Sequence, residues 1–418
     1  MASRFIVGLD IGTSTIKVAL GEFRNGKIIL RALYKELSAG LRKGAVCDLA
    51  EAVPALSRAV EPVRRINKSA LKVIYSNISS PQARVQHQKG IIAVSRADNE
   101  IYQDDIDRAV KAAQAINLPP NRMIVDVVIK EFIVDGVADI VNPRGLSGNR
   151  LEVGAVLIDV FSPHGTSAGR LLELVGGERN FLLFNPLATA KAVLSKHQKE
   201  LGVVLVDIGF GTTSMAVYEE NKLVGAQIFP VGSSNITNDL AVGLRIPVNA
   251  AENIKLQYGY ALSSEVSSKE SFELKKFVPE AKGNISRRFV SEIIESRLAE
   301  ILEFVNNELK LMGKAGRLAG GAVFVGGGSK MPGLTELARQ ELKLSCQIGF
   351  ASAAEKLERE GDAASSDMVE DPEFASSLGL LVSGMEKEGW TAKDSKEFSL
   401  GDTVKKVKSW FGNFIPSN

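Results

Sequence analysis

Two segments of the chain place an aspartate, glycines and hydroxyl side chains in the same order. The first reads DIGTST from Asp10, and the second reads DIGFGTTS from Asp207. Glycine lets the backbone come close to a ligand, and successive N–H groups with Ser and Thr hydroxyls form a concave site for phosphate oxygens. Each aspartate adds a hard oxygen ligand for Mg²⁺. The two segments therefore predict a site in which both loops grip phosphates while Asp10 and Asp207 hold a magnesium ion.

A lysine and a third glycine cluster extend this site. Lys17 follows the first loop, where its ammonium can neutralise a terminal phosphate. The segment AVFVGGGSK runs from an apolar strand into Gly326, and a helix is expected from about Pro332. Backbone donors and a helix N-terminus would then face the ligand. A plain hairpin or strand-to-helix connection uses the same residues, but the repetition favours a nucleotide site, with phosphates between the hairpins and the nucleoside at the third loop.

The elements that position these loops form an internal repeat. Residues 5–30 and 202–229 each predict a buried strand, a glycine turn, a second strand, a polar turn and a third strand. In the first copy, Asn25-Gly26 is typical of a tight hairpin. We therefore expect two related halves. Between them, residues 82–162 change to an α+β pattern with a helix at QDDIDRAVKAAQAI, which predicts an inserted unit.

The composition indicates a folded protein of several units. The chain has 418 residues, of which 45% are hydrophobic and 24% charged, and its net charge of +2 gives no global reason to expect nucleic acid. Two cysteines fit a reducing compartment. The N-terminal residues lack a long apolar run, and no later stretch reaches the roughly 18 apolar residues of a spanning helix. We therefore expect neither export nor a membrane span.

The C-terminal segment GDTVKKVKSWFGNFIPSN predicts an amphipathic helix after a polar linker. A helix docked on its own protein is one interpretation, but aromatic side chains bordered by lysines favour an interfacial membrane helix. Such a helix binds reversibly alone, and a filament of many copies would add avidity. The residues predicted to contact an anionic membrane surface are Val404, Lys405, Lys406, Val407, Lys408, Trp410, Phe411, Phe414 and Ile415.

Several segments together resemble the actin-like ATPase superfamily. In chain order they read GLDIGTSTIK, VDIGFGTTS, NAAENIKLQYG, FVGGGSKMPGL and DPEFASSLGLLV. Within that superfamily, LRKGAVCDLAEAV, NPRGLSGNRLEVGAVLI and the basic C-terminus resemble FtsA, a family of bacterial cell-division proteins. The resemblance implies an α/β fold: an actin-like two-lobed ATPase fold with an inserted α+β subdomain and a C-terminal amphipathic helix.

The resemblance also implies a division of the chain. The expected parts are the first lobe (1–81 and 163–200), the inserted subdomain (82–162), the second-lobe core with the second phosphate loop (201–236), its small subdomain (237–300), the second-lobe core with the adenosine loop (301–368), a helix returning to the first lobe (369–386), a linker (387–399) and the membrane-targeting helix (400–418).

An ATP and Mg²⁺ site follows from the same resemblance. It assigns phosphate contacts to Asp10, Gly12, Thr13, Ser14, Lys17, Asp207, Gly209, Gly211, Thr212, Thr213 and Gly232, and adenosine contacts to Glu252, Lys255, Gly326, Gly327, Gly328, Ser329 and Met331. Two residues depart from the family pattern: Phe210 stands within a usual Gly-Gly-Gly run, and Ser214 replaces the usual aspartate. We therefore expect at most slow ATP hydrolysis, and no catalytic residue is assigned.

The function implied by the resemblance is a filament on the cytoplasmic face of the membrane that anchors FtsZ at the division septum. Its partners would be the acidic C-terminal tail of FtsZ, contacted by Arg287, Arg288 and Arg297, further copies of itself, the anionic membrane surface and later division proteins, with no nucleic acid. An actin-like pilus-assembly protein and a small-molecule kinase of the same fold are the alternatives. The basic aromatic tail argues against both.

Overall fold

The computed structural model describes residues 4–25, 27–352, 357–360 and 365–390. The predicted membrane-targeting helix at 400–418 lies outside these residues, and so does residue 26 of the predicted Asn25-Gly26 turn. Asn25 itself has the positive φ, 55°, that such a turn requires of its first central residue.

The strands are numbered in chain order. They are β1 (Arg4–Ile11), β2 (Thr15–Arg24), β3 (Lys27–Leu37), β4 (Leu41–Arg42), β5 (Ala45–Val46), β6 (Val73–Ile78), β7 (Arg84–Ala93), β8 (Arg122–Val134), β9 (Val137–Ile140), β10 (Arg150–Phe161), β11 (Arg179–Phe184), β12 (Val203–Ile208), β13 (Thr213–Glu219), β14 (Lys222–Phe229), β15 (Ser271–Glu273), β16 (Asn284–Ser286), β17 (Ala322–Val325), β18 (Cys346–Ile348) and β19 (Glu358–Arg359).

The α-helices are numbered in the same way. They are α1 (Leu49–Ile66), α2 (Gln103–Gln114), α3 (Ser162–Leu174), α4 (Asn185–Val193), α5 (Lys196–Leu201), α6 (Ser233–Leu244), α7 (Val248–Tyr258), α8 (Arg287–Leu311), α9 (Leu334–Leu342), α10 (Ser366–Glu370) and α11 (Ala375–Lys387). Short 3₁₀ turns occupy Ala70–Lys72, Ser263–Glu265, Leu274–Lys276, Gly327–Lys330 and Pro372–Phe374.

Two sheets share one plan, which confirms the predicted repeat. The first-lobe sheet has the order β11-β6-β1-β2-β3-β19, and the second-lobe sheet has the order β14-β13-β12-β17-β18. In each, an antiparallel three-stranded meander is flanked by a parallel strand beside its first member, β6 or β17. Asp10 pairs with Lys17 across the first hairpin, and Asp207 pairs with Ser214 across the second. The two aspartates therefore occupy equivalent places.

The first strand of each meander is buried on both faces, which explains its continuous apolar sequence. In β12, Leu205 belongs to the core shared by the two lobes, whereas Val204 and Val206 face the core of the second lobe. In β1, Ile6 faces the shared core and Val7 the outer core of the first lobe. This alternation fixes the register of each strand. It places Asp10 and Asp207 at equivalent edges of their two sheets.

The last helix, α11, ties the second half of the chain back to the first lobe. Its backbone packs so closely on β1 that a Cβ at Gly8 would lie 2.3 Å from the Ser377 carbonyl. The helix ends at Lys387, but Trp390 remains 3% exposed and its ring stacks on Phe23 with 5.3 Å between centroids. The core therefore continues to Trp390, three residues past the predicted start of the linker at 387.

The inserted unit is a four-stranded antiparallel sheet with the order β7-β10-β8-β9, and α2 packs on one face. A buried ion pair between Arg122 and Asp159 joins the β8 and β10 ends nearest the first lobe. On its other side, the Lys222 ammonium of the second lobe lies 3.1 Å from a Glu131 carboxylate oxygen of the insert. The insert therefore contacts both lobes.

Candidate functional site

Asp10, the penultimate residue of β1, lies in a buried polar cluster. Its Oδ1 accepts a 2.7 Å hydrogen bond from the Asn77 amide, whose own oxygen accepts from the Ile11 N–H at 2.8 Å. The Lys17 ammonium lies 3.4 Å from Oδ2. Burial raises the pKa of Asp10, although the charge of Lys17 opposes this shift. Asn77, at the end of parallel strand β6, thus orients both the carboxylate and the start of the first loop.

Asp207, the penultimate residue of β12, lies in the equivalent place of the second lobe. Its Oδ2 accepts hydrogen bonds from the Asn185 amide at 3.1 Å and the Ser376 hydroxyl at 3.2 Å. Burial, followed by the negative charge of Asp10, raises the pKa of Asp207 to about 6. Because the charge of Asp10 makes it more costly to ionise Asp207, a bound cation would stabilise this pair of carboxylates.

The first and second loops meet across the cleft. A Cβ added to Gly211 would lie 2.9 Å from the Thr13 hydroxyl oxygen, and that hydroxyl accepts a hydrogen bond from the Gly44 N–H at 3.2 Å. Gly12 and Gly209 permit the tight turns: their added Cβ atoms would lie 2.6 and 2.9 Å from carbonyls of their own loops. Ser14 remains part-exposed in the first loop. The predicted phosphate loops therefore face each other.

The N-terminus of α6 supports the second loop from behind. The Ser233 N–H donates to the Gly209 carbonyl at 2.9 Å, and the Ser234 N–H donates to the Phe210 carbonyl at 2.8 Å. A Cβ at Gly232 would lie 2.8 Å from the Thr212 nitrogen. Glycine at 232 is thus required by the close approach of α6 to the loop.

The third glycine loop reaches Asp207 directly. Gly326 has φ 86°, and an added Cβ would lie 2.3 Å from Asp207 Oδ1, so both its conformation and its surroundings demand glycine. The Ser329 hydroxyl donates to the Gly326 carbonyl at 2.7 Å and closes the turn. A 3₁₀ turn and Gly333, with φ 82°, delay the start of α9 to Leu334, two residues after the predicted Pro332. Gly327 and Gly328 lie within this 3₁₀ turn.

Glu252 and Lys255 lie on α7 behind the second loop. The Lys255 ammonium donates to Glu252 Oε2 at 2.7 Å and to the Thr237 hydroxyl at 2.8 Å, and it lies 5.8 Å from the centroid of the Phe210 ring. Burial lowers the pKa of Lys255, although Glu252 opposes this shift. Met331 lies near the C-terminal end of α7: a Cβ added to Gly259, the residue after this helix, would be 3.0 Å from the Met331 sulfur. The residues predicted for adenosine thus lie beside the second and third loops.

Three buried polar atoms in this region have no hydrogen-bond partner among the described residues: the Thr213 and Ser214 hydroxyls and the Asn185 amide oxygen. Buried polar atoms are normally paired, so unpaired ones need an explanation. Ser214 is the cross-strand partner of Asp207, and Thr213 pairs with the neighbouring Ile208. The amide nitrogen of Asn185 donates directly to Asp207. A ligand rich in donors and acceptors, with an attached cation, fits this set.

Sequence reasoning missed four residues that shape the site: Asn77, Asn185, Ser376 and Glu373. Asn77 lies near the end of parallel strand β6 and Asn185 directly follows parallel strand β11, so a polar residue at the end of an apolar run was the available signal. Ser376 and Glu373 lie in DPEFASS, and no spacing rule connects that segment to Asp207, more than 160 residues earlier.

Two lobes built on one meander, with glycine loops from both facing a shared cleft, define an actin-like fold. Solved structures support this class. The chain matches the PilM-PilN type IV pilus biogenesis complex with a TM-score of 0.65 at 17% identity, covering 91% of this chain and 98% of that one. It matches MreB 5 of Spiroplasma citri bound to AMPPNP with a TM-score of 0.55 at 12% identity, covering 98% of each chain. Likeness at these identities concerns the fold.

Sequence comparison gives the family. The family model described as cell division protein FtsA matches residues 204–379, and the SHS2 domain inserted in FtsA matches residues 81–158. The chain is 34% identical to cell division protein FtsA of Bacillus subtilis over 375 residues, covering 90% of this chain and 82% of the relative. It is 32% identical to that of Neisseria meningitidis over 388 residues, covering 92% and 91%. The chain belongs to the FtsA family of cell division proteins, as the sequence motifs predicted.

Membership of this family makes the chain an actin-like cell-division protein and does not favour the pilus-assembly or kinase alternatives. Among the helices that the structure describes, none is long and apolar enough to cross a membrane.

Proposed function

We propose that this protein binds ATP with Mg²⁺ in its cleft, polymerises on the cytoplasmic face of the cell membrane and anchors FtsZ filaments at the division septum. The observation that carries the proposal is the convergence of three glycine loops on two buried aspartates, Asp10 and Asp207. The MreB neighbour described as bound to AMPPNP supports a nucleotide as the ligand of such a cleft.

The residues divide the ligand between them. Asp10 and Asp207 would hold Mg²⁺, through waters that this ion retains, and the ion would offset the charge of the phosphates. The N–H groups and hydroxyls of the first and second loops, with the Lys17 ammonium, would bind phosphate oxygens. The loop from Gly326 to Ser329, with Met331, would lie under the nucleoside, while Glu252 and Lys255 flank it.

Hydrolysis should be slow. Ser214 stands opposite Asp207, where the family usually has a second carboxylate, and its buried hydroxyl has no described partner. A hydroxyl is a far weaker base than a carboxylate, so it cannot replace a group that orients or deprotonates water. Phe210 adds an apolar ring to the same loop. We therefore propose that bound ATP acts mainly by joining the two lobes.

The FtsZ tail would bind the small subdomain of the second lobe. A cavity of about 300 Å³ there is lined by Tyr258, Glu270 and Arg287. Arg288, at the start of α8, has a side chain 44% exposed and only a 3.9 Å contact to Glu292, so its charge is available to an acidic peptide. Arg297 instead donates to both Asp239 oxygens, at 2.6 and 3.0 Å. Arg287 is likewise engaged, because it donates to a Glu270 carboxylate oxygen at 2.6 Å and to the Tyr258 carbonyl at 3.1 Å. We therefore assign the tail contact to Arg288 rather than to Arg287 or Arg297.

The membrane would be reached by the C-terminal segment. Trp390 fixes the end of the described body on Phe23, next to the start of β1 and at the opposite end of that strand from Asp10. Polymerisation would supply the avidity that one interfacial helix lacks.

Co-sedimentation with anionic liposomes tests this function. We expect FtsZ to enter the pellet only when this protein, Mg-ATP and anionic liposomes are all present. FtsZ lacking its C-terminal tail is the matched control and should stay in the supernatant. Pelleting of this protein without any recruitment of full-length FtsZ would contradict the anchoring role.

A further inference from the structure

An ionic bridge crosses the cleft at a residue that the nucleotide motifs do not include. Glu373 lies in the 3₁₀ turn before α11, and its Oε2 is 2.5 Å from the Lys35 ammonium of the first lobe. Its Oε1 is 3.2 Å from the ammonium of Lys330, which follows the third glycine loop of the second lobe. One carboxylate therefore links the two lobes.

Lys35 is placed as a second cation beside the first phosphate loop. It is the direct cross-strand partner of Lys17 on β3, so both side chains leave the same face of the sheet. Lys17 contacts Asp10 at 3.4 Å, within the site already described. The two lysines differ in their partners, because Glu373 holds Lys35 while Lys17 contacts the cleft aspartate.

The bridge also lies beside the third loop. A Cβ at Gly327 would be 3.5 Å from Glu373 Oε1, and the Glu373 N–H is fixed by a 2.9 Å hydrogen bond to Asp371. Burial alone would raise the pKa of Glu373, but the ion pair with Lys35 holds it below the ordinary value, so the carboxylate is charged at neutral pH. The side chain of Lys35 is 42% exposed, which leaves it free to change partner.

We propose that Lys35 is a further phosphate-binding residue and that Glu373 competes with the terminal phosphates of the bound nucleotide for its ammonium. The proposal rests on ATP binding in the cleft. A phosphate that pairs with Lys35 would leave Glu373 paired with Lys330 alone. The direct ionic link between the lobes through Glu373 would then be replaced by a link through the bound nucleotide. Glu373 would thus set the preference of the site for the number of phosphates on the nucleotide.

The test is a double-mutant cycle read by calorimetric titration. Replacing Glu373 with Gln should tighten Mg-ATP binding by about 2- to 5-fold, the range that part-exposed ion pairs usually supply. Replacing Lys35 with Gln should weaken Mg-ATP binding by a similar factor. In the double variant, Glu373→Gln should give no further tightening. Adenosine, which has no phosphate, should bind all four proteins equally.

A matched control is Glu360→Gln. Glu360 also pairs with cations of the first lobe, Arg24 at 2.5 Å and Arg31 at 2.6 Å. This substitution should leave the affinity for ATP unchanged. Tightening that persists without Lys35, or that is as large for adenosine as for ATP, would overturn the competition. Absence of ATP binding by the unaltered protein would instead overturn the proposed function, so the two failures are distinguishable.

Discussion

Replacing Asp207 with Asn should stabilise the protein in the absence of ligand while impairing its function. Burial and the charge of Asp10 raise the pKa of Asp207 from 3.8 to about 6. A difference of about 2 between folded and unfolded pKa values corresponds to about 3 kcal/mol of destabilisation when the carboxylate is charged in both states. Asn has nearly the same shape, retains an oxygen for the Asn185 and Ser376 donors, and carries no charge.

The size of the effect depends on pH. A raised folded pKa means that the penalty is complete above pH 6 and is lost as the pH falls toward 4, where Asp207 is protonated in both states. At pH 8 the Asp207→Asn variant should therefore melt higher than the unaltered protein. With about 2.1 cal/mol/K of unfolding entropy per residue, about 3 kcal/mol corresponds to a rise of about 3 °C for a chain of this length. The rise should shrink by pH 5.

Differential scanning calorimetry at pH 8 and pH 5, without nucleotide, measures both values. Asp239→Asn is the control, because Asp239 lies in the same lobe but accepts two hydrogen bonds from Arg297. That variant should melt lower at pH 8, since it removes half of an ion pair. An Asp207→Asn variant that melts at or below the temperature of the unaltered protein at pH 8 would refute the electrostatic strain assigned to the cleft.

Three further variants test the other parts of the molecule. Gly326→Ala should lower the melting temperature by the equivalent of about 1–2 kcal/mol or more, and it should weaken Mg-ATP binding. The reason is that Gly326 has a φ of 86° and Asp207 leaves no room for a Cβ there. The control Gly169→Ala adds its Cβ in open space and should have neither effect. Trp410→Glu should abolish liposome binding at any salt concentration without changing the melting temperature, and the reverse result would indicate a docked helix. Arg288→Glu should weaken binding of the FtsZ tail peptide in fluorescence anisotropy, and unchanged affinity would place the tail elsewhere.

The loops of the site could be predicted because they are local. A strand, a glycine turn and a second strand are encoded within about 15 residues, and the second copy made the interpretation of the first secure. The equivalent positions of Asp10 and Asp207 followed from that repeat and are found at equivalent registers in the two sheets. The α+β character of the insert was also predictable from its periodicity, whereas its strand order was not, since pairing across a sheet leaves no local signal.

The partners of the aspartates could not be predicted. Asn77 reaches Asp10 from the parallel neighbour strand β6, and Asn185 reaches Asp207 of the other sheet from the start of α4; single polar residues such as these carry no spacing pattern. Glu373 is harder still, because it joins lysines that lie about 300 residues apart in the chain. The burial of Trp390 could not be predicted for a similar reason: it follows a charged run typical of a linker, and its stacking on Phe23 comes from a distant part of the chain.

Calorimetric titration of Mg-ATP is the most direct test of a nucleotide site between the two hairpins. We expect one ATP to bind per chain, with affinity that falls when EDTA removes Mg²⁺ and falls again when Asp10 is replaced by Ala. The Asp10→Ala variant should first be shown by circular dichroism to be folded. Absence of any binding at millimolar Mg-ATP, or binding that neither EDTA nor the loss of Asp10 weakens, would contradict the assignment of this cleft.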